Sequence, residues 1–144
     1  MGAWKIEPLV GVSDVRLGMS YDEVVGVLGE PSQTRRGSPG MICYWPQGVS
    51  VHFNPDAEFI EIARRMGLSP TLLGAEVFVT RADDLVQVLA AAGHDLDSDT
   101  ERGHSFVFRD LQVGLWRASV PEDNDDAEGH YFDSVGLGMP GYYT

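Results

Sequence analysis

Apolar residues recur at helical spacing in two places along the chain and alternate with polar ones in several others. Tyr21, Val24, Val25 and Leu28 fall at i, i+3, i+4 and i+7, one face of a helix. Ser20 stands before them as an N-cap, Glu23 occupies the capping-box position three residues on, and Gly29 and Pro31 stop the run. Ala82, Leu85, Val86 and Leu89 repeat the same spacing. There Thr80 is the expected cap, with Asp83 three residues on, and the helix is expected to continue through Ala90, Ala91 and Ala92 to Gly93.

Strand signals follow each helix. Residues 41–45 are apolar, and Pro46-Gln47-Gly48 has turn chemistry. Val49, Val51 and Phe53 alternate with Ser50 and His52, Asn54-Pro55-Asp56 makes another turn, and residues 58–63 place Ile60 and Ile62 on one face. Three short consecutive strands of this kind form an antiparallel meander most simply. A second set is expected at 105–109, 111–116 and 131–137, with Leu111, Val113 and Leu115 alternating with Gln112, Gly114 and Trp116. Residues 1–16 read as an extended lead-in with a short strand, 32–40 as a polar loop and 64–71 as a connector. The order helix, three strands, helix, three strands predicts an α+β fold. Two helix-plus-three-strand units, about 12–66 and 68–144, would merge into one mainly antiparallel sheet with helices on one face. Residues 1–144 then form a single domain whose other sheet face is open for binding.

The string Leu17-Gly18-Met19-Ser20, Glu23-Val24, Leu28-Gly29 and Pro31 resembles the motif of the small SmpA/OmlA-type outer-membrane lipoprotein domains. It also resembles the repeat unit of β-lactamase inhibitory protein, which uses two such units in tandem. The resemblance implies a helix-and-sheet architecture with a protein-binding face. It assigns no individual contact residue. The chain has no lipoprotein signal and no paired cysteines, and its second half lacks the Leu-Gly-x-Pro ending.

Composition narrows the partner. The 144 residues carry 10 basic and 22 acidic side chains, a formal charge of -12. Such a surface repels nucleic acid and anionic membranes and attracts basic partners. No run approaches the ~20 apolar residues that span a bilayer. The N-terminus has no basic stretch followed by an apolar one, so the expected location is cytoplasmic. Cys43 is the sole cysteine and sits in an apolar run, which predicts a buried structural thiol.

Candidate chemistry is sparse. Asp95, Asp97 and Asp99 alternate like the start of a calcium loop, but Thr100 stands where Gly is needed and Phe106 where Glu is needed; a polar turn before a strand fits better. His52, His94, His104 and His130 include no pair three or four apart, so no helix-borne zinc pair exists. His94 follows a helix end and His130 borders the acidic 121–128 segment. No serine elbow, Cys–His pairing or phosphate-cradling glycine loop is evident. The reading is therefore of a noncatalytic protein that uses no cofactor and no metal. It is an acidic inhibitor or immunity protein of bacterial type that occludes the site of a basic toxin or enzyme, such as a nuclease. Trp116 holds the polar parity of its strand, and the terminal Tyr142 and Tyr143 must pack back or serve an interface. With Asp123, Asp125, Asp126 and Glu128 of the acidic segment they are the candidate contact residues. The alternative is a small-molecule binder or enzyme with a pocket on the open sheet face, lined by residues such as Tyr44, His52 or Trp116.

Overall fold

A computed structural model describes residues 4–37, 40–64, 68–101, 103–123 and 129–143. The two alternating regions identified in the sequence pair with each other. The strands β4 (Gln33–Arg36), β5 (Met41–Trp45), β6 (Val49–Phe53) and β7 (Ala57–Ala63) form one antiparallel meander. The strands β10 (Leu96–Glu101), β11 (Ser105–Phe108), β12 (Val113–Trp116) and β13 (Ser134–Gly138) form a second. The last strand of each meander pairs antiparallel with the other, β13 against β7, giving one eight-stranded sheet. A separate five-stranded sheet is built from β1 (Trp4–Glu7), β2 (Gly11–Val12), β3 (Val15–Arg16), β8 (Pro70–Leu72) and β9 (Ala75–Glu76). Its β1–β8 pairing is parallel.

Strand alternation decides what is buried. Val113, Leu137, Ile60, Val51 and Cys43 are cross-strand neighbours in one row, and Leu115, Val135, Ile62, Val49 and Trp45 form the next. All ten are buried. They join Ile6, Val12, Val15 and Leu72 of the small sheet, and side chains of both helices, in one contiguous core. Helix α1 (Tyr21–Leu28) contributes Val24, and α2 (Ala82–Ala91) contributes Ala82, Leu85 and Leu89. Burying Leu85 and Leu89 stabilises the fold by about 2 kcal/mol each. The α1 end is tied to the sheet where the Trp45 indole donates to the Gly29 carbonyl at 2.7 Å. Cys43 is fully buried, and the Thr34 hydroxyl approaches its sulfur at 3.6 Å.

The expected fold class is overturned. The described residues form thirteen strands in two sheets with two helices of eight and ten residues, not two helix-plus-three-strand units with helices on one face of a merged sheet. The polar residues of β4 and β10, read as a loop and a turn, pair as the two edges of the large sheet. An edge strand is held by its backbone ladder and needs no apolar alternation, so its sequence carries no periodic signal. The lead-in and the connector pair with each other across more than sixty residues to build the small sheet. Thr80 does not cap α2. Arg81 is the N-cap and makes no side-chain cap bond, and the His130 carbonyl accepts the Ala82 N–H at 2.7 Å. The α1 prediction holds: Ser20 and Glu23 form both halves of a capping box.

Candidate functional site on the outer face of the large sheet

Residues of opposite parity to the core occupy the second face of the eight-stranded sheet. One row there runs Val107, Gly114, Gly136, Glu61, Ser50, Tyr44 and Gln33 across seven strands. The flanking rows carry Trp116, Ser134 and Ala63 on one side and Gly138, Phe59, His52 and Ile42 on the other. Glu61 therefore sits near the middle of the face, beside a patch that three glycines leave without side chains.

The C-terminal residues fill that patch. A Cβ on Gly114 would lie 2.5 Å from the Tyr143 hydroxyl, and one on Gly138 would lie 2.6 Å from the Tyr142 Cβ. Phe59 occupies the space above Gly136. Tyr142 stacks on Phe59 with centroids 4.5 Å apart, and Phe59 meets the His52 ring edge-on at 4.9 Å. Burial pushes the Tyr143 phenol well above its ordinary value of 10.0, helped by Tyr142 and Glu61. Burial also moves His52 below 6.5, towards the neutral ring.

Among the described residues, two clefts lie on the remainder of the face. A cleft of about 530 Å³ is lined by Glu61, Ala63, Arg64, Trp116, Asp133 and Ser134. A second, of about 330 Å³, adjoins it and is lined by Tyr44, Pro46, Gly48, Ser50, Glu61 and Ala63 among others. Arg64 Nη2 pairs with Asp133 Oδ1 at 2.7 Å, and Asp133 Oδ2 accepts the Ala118 N–H at 2.7 Å. Both oxygens of Asp133 are thus engaged. Glu61 is half-buried, and burial raises its carboxyl above the usual 4.5 while a hydrogen bond with Ser134 pulls the other way. Such a group gains when a cation enters, because the ion pair replaces the water that the sheet excludes.

The sequence candidates separate. Trp116 is 40% exposed and lines the larger cleft. Tyr142 and Tyr143 belong to the same face but are packed onto it, with Tyr143 largely enclosed. Asp123 is exposed and lines neither cleft. Asp125, Asp126 and Glu128 lie outside the described residues. Glu61, Arg64 and Asp133 went unnoticed in the sequence. The signal for Glu61 was a charged residue set between Ile60 and Ile62 in the interior of a strand.

No cluster of three His, Cys, Asp or Glu able to hold a metal occurs among the described residues. The strand β10 runs through the Asp95–Asp99 region. Asp97 accepts Arg109 at 2.6 Å, and His94 Nδ1 lies 2.8 Å from Asp110. Among the described residues, no helix is long and apolar enough to cross a membrane. Comparison with protein-family models, with curated proteins and with solved structures returns no match.

Proposed function

We propose that the chain is a noncatalytic protein-binding module, an acidic inhibitor or immunity protein that neutralises a basic toxin or enzyme by occluding its site. A nuclease is the partner type that best matches its charge. The observation that carries this reading is the cleft on the outer sheet face, where Trp116 stands beside a carboxylate held at the middle of the sheet. An exposed tryptophan is a residue type enriched at interface hot spots. The charge of -12 supplies long-range attraction to a basic partner and accelerates encounter. The motif-level resemblance to the repeat unit of β-lactamase inhibitory protein supports this reading. The acting compartment would be the cytoplasm.

The test is capture on the immobilised chain, followed by titration against the recovered partner in purified form. The expected result is a stoichiometric complex with a basic protein, loss of that protein's activity, and affinity that falls with salt. Trp116→Ala should weaken it by tenfold or more, about 1.4 kcal/mol. A partner bound equally well by wild type and Trp116→Ala would overturn this use of the face.

A second reading is a small-molecule binder. The 530 Å³ volume of the cleft lies within the range of ligand sites. Saturable binding of a host metabolite, with no protein captured, would favour it.

A further inference from the structure

We infer that the Glu61 cleft is the receptor for one arginine side chain of the protein partner, its guanidinium paired with the Glu61 carboxylate and stacked on Trp116. The inference deepens the protein-binding reading and rests on it.

The charges in the cleft give the argument. Among the described residues, three ionisable side chains line it: Glu61, Arg64 and Asp133. Arg64 and Asp133 pair at 2.7 Å and cancel. Asp133 is further held by the Ala118 N–H, so it is a fixed part of the wall. Of these three, Glu61 has no ion-pair partner among the described residues. It is placed there by strand parity: its neighbours Ile60 and Ile62 enter the core, while its own row faces outward between Gly136 and Ser50. Tyr142 and Tyr143 close off the glycine side of that row, so access to Glu61 is from the two clefts that share it.

Arginine fits this site better than lysine. The carboxylate lies partly below the surface, and a guanidinium is more weakly hydrated than an ammonium, so it loses less on entry. Its flat fork can donate to a carboxylate already shared with Ser134. Its face can also lie against the exposed Trp116 ring, which an ammonium uses less well.

The experiment uses the full chain, isotopically labelled, titrated by NMR with N-acetyl-arginine methylamide. The neutral citrulline analogue and the lysine analogue are titrated in parallel. The arginine probe should saturate, moving the Glu61 carboxyl and Trp116 indole resonances together and lowering the pH at which Glu61 titrates. The citrulline analogue should bind at least about tenfold more weakly, because it keeps the shape and loses the charge. Glu61→Gln, with an otherwise unchanged spectrum to show that it folds, should reduce arginine binding by a similar factor. Equal binding of citrulline, equal binding of lysine, or perturbations that miss Glu61 and Trp116 would each overturn the inference. If the probe fails while a captured protein still depends on Trp116, the arginine subsite falls and the protein-binding reading stands. If the probe succeeds and no protein is captured, the protein-binding reading falls, and with it the assignment of the arginine to a protein partner.

Discussion

The side chain of Gln112 forms two hydrogen bonds with the backbone of Tyr143: its Oε1 accepts the Tyr143 N–H at 2.7 Å and its Nε2 donates to the Tyr143 carbonyl at 3.0 Å. An amide side chain here imitates the reciprocal bonding of a strand pair, and it clamps the end of the chain onto the outer sheet face. Gln112 is only 6% exposed, and its Nε2 also reaches the Arg109 carbonyl at 2.8 Å. Its own carbonyl accepts the Gly138 N–H at 2.8 Å. Gln112→Ala removes three side-chain bonds and should cost about 2 kcal/mol. Denaturant unfolding measures that loss, and limited proteolysis should show residues 139–143 cut first. A C-terminus that stays protected in this variant would mean that the aromatic stack alone holds it.

The glycines beneath the clamp give an independent check. At Gly114 the backbone is ordinary, so a methyl group there acts only through space, against the Tyr143 hydroxyl and ring. Gly114→Ala should therefore displace Tyr143, with a penalty of about 1–3 kcal/mol for overpacking. Pairing it with Tyr143→Ala should recover part of that loss, a coupling that a double-mutant cycle reads directly. Additive effects would show that the two sites do not touch.

Much of the large sheet was legible because its inner strands bury alternate residues. Val49, Val51 and Phe53, and again Val113 and Leu115, announce their parity in the sequence. The edges β4 and β10 were not legible, since Gln33-Thr34-Arg35-Arg36 is held chiefly by backbone pairing and all four residues are exposed. Nor was the small sheet, whose defining contact joins Trp4–Glu7 to Pro70–Leu72. Strand parity pointed to Trp116 on the outer face, and it lies there. Gly114, Gly136 and Gly138 read as weak strand residues, and their role appears only when tyrosines from the C-terminus lie over them.

The two helix starts predict opposite outcomes for a similar change. The Ser20 hydroxyl accepts the Glu23 N–H at 3.2 Å, so Ser20→Ala should cost about 1 kcal/mol. At the second helix the cap position belongs to Arg81, and the Ala82 N–H is already bonded to the His130 carbonyl. Thr80→Ala should therefore leave the thermal midpoint nearly unchanged. A loss at Thr80 matching that at Ser20 would contradict the N-cap assignment at Arg81.

Arg117 is the most deeply buried cation among the described residues, at 4% exposure. Its Nε donates to the Gly103 carbonyl at 2.7 Å and its Nη1 to the Gly129 carbonyl at 2.9 Å, while the guanidinium carbon lies 5.7 Å from the Phe106 centroid. Asp83, at 3.4 Å, is mostly in solvent and adds little. The bonds to two loop carbonyls tie the β10–β11 turn to the start of the final segment. Arg117→Ala leaves both carbonyls without this donor and should cost about 3 kcal/mol. Arg117→Lys should restore little, because one ammonium cannot span both acceptors in the guanidinium plane. A lysine variant as stable as wild type, by chemical denaturation, would show that charge rather than geometry is what the site needs.

Glu61 carries a stability cost that its location makes measurable. Burial raises its carboxyl above 4.5, so the folded chain holds this proton more tightly than the unfolded chain does. The associated stability is present in full below the unfolded value and is lost as pH rises through the folded value. Glu61→Gln keeps the shape and cannot ionise. Its thermal midpoint should match that of wild type at about pH 4 and exceed it near neutrality, with the gap opening between the unfolded and folded values. An added arginine probe should narrow the gap by stabilising wild type alone. A glutamine variant less stable than wild type at neutral pH would mean that the ionised carboxylate already has a favourable partner within the fold, and the cleft would then have no vacant charge to offer.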